Sequence, residues 1–162
     1  MNFYAMALEL EEKLTRHYAN LAQQCVQHPG IQSIVGLLER DHSRHIQALT
    51  QMQQDECDTI LRTDLFARAA AILKELKDKG EAFTCDIDQR ELYQQALEIT
   101  EEKVKLYRGH ASMMQCPENR AKLQEIAREE EYQTRLLKNI IEMISKPQQW
   151  VEDAEFYHFE EY

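Results

Sequence analysis

Residues 37–49 read LLERDHSRHIQAL. Leu38, His45 and Leu49 fall at helical spacing, and His42 and Ile46 flank them. Recurrence of this kind marks one face of an amphipathic helix, not the strict alternation of a strand. Ile31, Ile34, Val35 and Met52 continue the same phase outward, so the spacing predicts a helix over about 31–54. Two imidazoles ride on or beside its apolar stripe.

Toward the N-terminus, His28-Pro29-Gly30 is expected to stop a preceding helix over about 2–27. Its stripe is Tyr4, Leu8, Glu11, Thr15, Tyr18, Ala22 and Cys25, with Met6, Leu10, Leu14 and Leu21 beside it. Toward the C-terminus lies a long connection, 55–88. Its centre, DLFARAAAILKELKDKG, reads as a short helix with Asp64 as N-cap and Gly80 as stop. Asp86 or Asp88 then caps a third long helix to about 114, with Tyr93, Leu97, Thr100, Val104, Tyr107, Ala111 and Met114 as its stripe. Cys116-Pro117 breaks it. The fourth, about 118–145, carries Leu123, Ile126, Glu130, Gln133, Leu137, Ile140 and Ile144.

The layout predicts an all-α fold. Four long helices form a bundle over 1–146, and one long crossover contains a short helix. Pro147 opens an aromatic, acidic C-terminal tail, 147–162, with Trp150, Phe156, Tyr157, Phe159 and Tyr162. A disordered tail is poor in aromatics. This one is expected to be helical and to pack on the bundle or on a partner subunit.

Composition agrees. The 162 residues include only four glycines and three prolines, about a third of the usual ~12%. A sandwich or barrel needs many more turns. The net charge is −10, from 29 acidic and 19 basic residues. Such a surface repels nucleic acid and anionic membranes, and no apolar run approaches the ~20 residues of a membrane span. The opening MNFYAMALELEE lacks a basic region and turns acidic by Glu9, unlike a secretory signal. The cytoplasm is the expected compartment. Cys25, Cys57, Cys85 and Cys116 form no CxxC pair, which excludes a zinc ribbon or a rubredoxin-type site; they are expected to be free thiols.

The two halves resemble one helical hairpin written twice. Ala7-Leu8-Glu9-Leu10 matches Ala96-Leu97-Glu98-Ile99 at an offset of 89, which carries Tyr18 onto Tyr107 and Glu11 onto Thr100. An offset of 90 would match Glu11-Glu12-Lys13 to Glu101-Glu102-Lys103, but it moves Tyr18 onto Arg108 and breaks the stripe. In the second helices an offset of 88 carries Leu38 onto Ile126, His42 onto Glu130, His45 onto Gln133 and Leu49 onto Leu137.

An unpaired carboxylate inside a bundle costs several kcal/mol. Yet Glu11, Glu130, His45, Gln133 and Thr100 sit within the stripes, with His42 beside them. Polar groups at one level of four helices are what a bundle metal site looks like: one Glu from each of two helices, and a Glu-x-x-His pair from each of the others. Carboxylates and imidazoles suit iron or manganese.

On these residues the chain resembles the rubrerythrin and ferritin-like di-iron family, nearest to small members without a rubredoxin domain. Glu11 with Tyr18, LLERDHSRHIQAL, IAREEEYQTRLL and the tail PQQWVEDAEFYHFEEY carry the resemblance. It implies that Glu11 keeps the first-helix ligand, His45 the histidine of the first pair and Glu130 the glutamate of the second. His42, Thr100 and Gln133 stand where the family has glutamate, glutamate and histidine. The literal string Glu39-Arg40-Asp41-His42 would put His42 where the stripe predicts His45 and push Leu38 out of register. Asp41, one turn before His45, is another substitute ligand.

Two readings follow. In one, the chain is a di-iron oxidoreductase acting on peroxide or oxygen, with electrons from a separate carrier protein. In the other, it is a degenerate member that holds at most one iron-type or other divalent metal through Glu11, His42, His45 and Glu130. Both expect a homodimer. Tyr18 and Tyr107 are expected as core tyrosines; His17, His110 and His158 as surface or subunit-contact residues; and Glu129 and Glu131 as a solvated face.

Overall fold

The computed structural model describes residues 2–24, 29–54, 65–79 and 87–146. They form α1 (Phe3–Gln24), α2 (Pro29–Gln53), α3 (Leu65–Asp78), α4 (Ile87–Ala111) and α5 (Pro117–Ser145), and no strand occurs among them. The tail, Asp64, Gly80, Asp86 and the cysteines other than Cys116 lie outside the described residues. No helix among the described residues is long and apolar enough to cross a membrane.

Local chemistry explains the ends. The Asn2 side chain accepts from the Ala5 amide at 2.8 Å and caps α1. Pro29 opens α2 rather than closing α1. Its fixed φ and missing N–H suit the first turn of a helix, where the amide has no intrahelical partner. Gly30 lies inside α2 and lets α3 pack close, since a Cβ there would meet Leu76 Cδ1 of α3 at 3.1 Å. Extended Cys116 and Pro117 start α5, and Glu118 places a negative charge in its first turn. The third long helix ends at Ala111, not near Met114, because Ser112 and Met113 turn out of it.

Cross-helix contacts set the directions. Ala22 pairs with Gln32 and Glu11 with His42, so α1 and α2 are antiparallel. His17 meets Leu92, Glu11 meets Lys103 and Phe3 stacks on His110, so α1 and α4 are antiparallel. Lys138 faces Glu101 and Glu131 faces Arg108, so α4 and α5 are antiparallel too. The long helices therefore run up, down, down, up. Helix α3, with Ile72 and Leu76 against Gly30, returns the chain to the end where α2 began.

The interior is divided. One apolar cluster holds Leu14, Tyr18 and Leu21 of α1, Ile31 to Leu38 of α2, Tyr93 to Ile99 of α4 and Leu136 to Met143 of α5. A second holds Ala7, Ala48, Leu49, Met52, Tyr107, Ala111, Leu123, Ile126 and Ala127. Each buried leucine-sized side chain stabilises the fold by about 1.5–3 kcal/mol. Between the two clusters lies a buried polar layer: Glu11, Asp41, His42, His45, Thr100, Lys103, Glu129, Glu130 and Gln133.

Candidate metal centre

Each long helix feeds the layer from positions in phase with its apolar stripe. Ala7, Glu11, Leu14 and Tyr18 are buried on α1, and Ala96, Thr100, Lys103 and Tyr107 on α4. On α2 and α5 the buried pairs are Leu38 and Ile126, Asp41 and Glu129, His42 and Glu130, His45 and Gln133, and Leu49 and Leu137. Burial thus follows offsets of 89 and 88. The offset of 90 would pair exposed Lys13 with buried Lys103.

Glu11, His42, His45 and Glu130 come together as one fully buried set, with a ligand atom from each within 4.8 Å of the others. By spacing and donor chemistry this inner set could hold a metal ion. A second, outer set is Asp41, His45 and Glu129. His45 joins the two: Nε2 lies 2.7 Å from Glu129 Oε2, and Nδ1 lies 3.0 Å from Glu130 Oε1, off the hydrogen-bond line. Glu39 is not among either set.

The residue that sequence left unassigned is Lys103. It is completely buried, and its Nζ donates to Glu11 Oε2 at 2.8 Å and to Glu130 Oε1 at 2.7 Å. His42 Nδ1 lies 3.1 Å away. His42 also contacts Glu11 through Nδ1, and its Nε2 lies 2.8 Å from Gln133 Nε2. These partners assign a proton to Nδ1 and the acceptor role to Nε2. Tyr107 donates its hydroxyl to Glu11 Oε1. Thr100 donates to Ala96 O of its own helix at 2.7 Å. Glu130 Oε2 and Gln133 Oε1 remain buried acceptors without donors among the described residues.

Lys103 contests the metal position. Nitrogen and carboxylate ligands bind a first-row ion such as zinc at about 2.0–2.2 Å. An ion bonded to Glu11 Oε2, Glu130 Oε1 and His42 Nδ1 would overlap an ammonium 2.7–3.1 Å from those same atoms. The donors fit a metal; the donors with Lys103 in this place do not. The outer set has a protein cation as well. Arg44 bonds Asp41 Oδ1 at 2.9 Å and also bonds Glu129, and 26% of its side chain is exposed.

The electrostatics follow from this crowding. Burial raises the Glu11 carboxyl, but the Lys103 ammonium and the His42 contact, with the His45 imidazole nearby, outweigh it and hold the group well below the usual range. Burial pushes the His45 imidazole down, but the Asp41 charge, the hydrogen bond with Glu129 and the close Glu11 and Glu130 carboxylates hold it well above its ordinary value. Burial also raises Asp41, yet His45 and Arg44 bring it below the usual range. The Tyr107 phenol is pushed well up by burial and by the nearby Glu11 and Glu130 charges, so it stays neutral and donates.

Some other expectations are corrected and some hold. Glu129 is buried among α2 side chains rather than solvated. His17 is half-buried, and its Nε2 lies 2.6 Å from the Leu92 carbonyl on α4. His110 stacks on Phe3 with ring centroids 3.7 Å apart, away from the polar layer. Tyr18 and Tyr107 are buried, and both hydroxyls have partners. One signal for Lys103 was available: it is in phase with Ala96, Thr100 and Tyr107, and the offset of 89 places it opposite Leu14. No family model, curated protein or solved structure matches the chain.

Proposed function

We propose that the chain is a ferritin-like protein of the rubrerythrin type with an altered metal centre, holding at most one iron-type divalent metal and not a coupled di-iron pair. The up, down, down, up order with one crossover supports the fold reading. One observation carries the functional reading. Thr100, at the position of the third-helix glutamate, turns its hydroxyl back to Ala96 O and supplies no carboxylate, so among the described residues the inner set has two, Glu11 and Glu130. Two carboxylates do not neutralise two divalent ions in a low-dielectric interior. This favours a binding or structural member of the class over a peroxide- or oxygen-reducing enzyme. Under the same reading the chain pairs as a two-fold dimer, the commonest closed assembly.

The test is metal content per chain after anaerobic loading with Fe(II). At most one equivalent is expected. Two equivalents with a coupled di-iron spectrum would restore the oxidoreductase reading.

A further inference from the structure

We infer that Lys103 is the resident cation of the inner set: its ammonium balances Glu11 and Glu130 where a metal would, and its removal unmasks a one-metal site for a first-row divalent ion. The inference rests on the altered-centre reading and sharpens it from at most one metal to none at the inner set of the native chain.

Four observations bear on it. Among the described residues, Lys103 is the one whose charged nitrogen donates to both carboxylates of this set, Glu11 of α1 and Glu130 of α5. It has no exposed surface, so its head does not reach water by bending away, as surface lysines do. An ion entering beside it would meet a like charge and overlapping atoms. Finally, the surroundings hold spare acceptors, since Glu130 Oε2 and Gln133 Oε1 are buried without a hydrogen-bond donor among the described residues. Take away the ammonium, and two buried carboxylates lose the charge that compensates them. Such groups protonate or take up a cation.

The repeat offers an uncharged side chain to place at this position. The counterpart of Lys103 on α1 is Leu14, equally buried. Lys103→Met keeps the length and removes the charge, and Lys103→Leu takes the residue the repeat already uses. The four remaining donors are two carboxylates and two imidazoles, a set that matches the charge of one divalent ion.

The experiment titrates the native chain, K103M and K103L with Co(II) alone, following visible absorption, stoichiometry and melting temperature. The native chain is expected to show no tight site. Each variant is expected to bind one Co(II) about 100-fold more tightly than the native chain, because a displaced buried ammonium is a costly competitor. Co(II) should raise the melting temperature of the variants and not of the native chain. A variant that folds only when Co(II) is present supports the inference equally, because metal then replaces the lost ammonium. Adding Glu11→Gln to K103M should abolish the new site. The inference is overturned if the native chain binds one Co(II) as tightly as K103M. It is also overturned if both variants take up none, whether folded or refolded with Co(II). Either of those results leaves the altered-centre reading standing, whereas two irons in the native chain would remove that reading itself.

Discussion

Lys103 occupies on α4 the place that Leu14 occupies on α1. Both are completely buried, and the offset that superimposes Tyr18 on Tyr107 superimposes them. One half of the repeat therefore contributes a packing side chain to the border of the polar layer, and the other contributes an ammonium. That ammonium draws Glu11 and Glu130 to a common point, and Tyr107 closes on the other oxygen of Glu11.

The ion pair predicts strong coupling in a mutant cycle. Glu11→Gln leaves Lys103 with one buried carboxylate, and Lys103→Met leaves Glu11 and Glu130 without their common cation. Each single change should cost about 3–5 kcal/mol, as expected for a buried charge deprived of its partner. The double variant should cost less than the two together by about 1–3 kcal/mol. Urea denaturation of the four proteins checks this. Additive losses would mean that the two groups do not act as a pair.

Stability should be highest between about pH 4 and 6.5 and fall on both sides. Glu11 and Asp41 are held below their ordinary values in the fold, so their contribution is present above about pH 4. It is lost as the pH falls through their lower folded values. His45 is held above its ordinary value, so its contribution is full below about pH 6.5. It is lost as the pH rises through the higher folded value. Urea midpoints measured from acid to alkali should show both arms, and His45→Gln should flatten the alkaline one. An alkaline arm unchanged in that variant would assign it to another group.

Installing a rubrerythrin-type ligand set should not by itself create a two-iron site. His42→Glu, Thr100→Glu and Gln133→His together supply the carboxylates and imidazole of such a set, but Lys103 still stands on the inner set. The triple variant is expected to load at most one iron per chain. Adding Lys103→Leu should raise this to two, read as metal content and as a coupled spectrum. Two irons in the triple variant alone would show that Lys103 yields its place.

The crossover helix should be sensitive to the size of residue 30. A Cβ at Gly30 already meets Leu76 Cδ1 at 3.1 Å, and Ile72 lies just beyond. Gly30→Val is expected to cost about 1–3 kcal/mol through overpacking. Leu76→Ala in the same chain should relieve part of that loss. A Gly30→Val protein as stable as the parent would mean that α3 shifts freely against α2.

The sequence by itself determined the helices and their inward faces. Helical period is a local property, so Leu38, His45 and Leu49 declare their common face without help from the rest of the chain. Glu11, His42, His45 and Glu130 were legible for the same reason, as polar residues in or beside apolar stripes. The register of the repeat was legible too, because a shift by one residue would turn Tyr18 out of phase. Tertiary structure alone decided what those residues do together. By residue type a lysine belongs to the solvated face, and Lys103 is buried only because Glu11 and Glu130 arrive from two other helices to match its charge. Glu129 follows its neighbour Glu130 in sequence and is turned about a third of a circle from it. It is buried because Arg44 and His45 of α2 meet it there. Burial of a charge depends on partners far away along the chain, and no local pattern records where those partners will be.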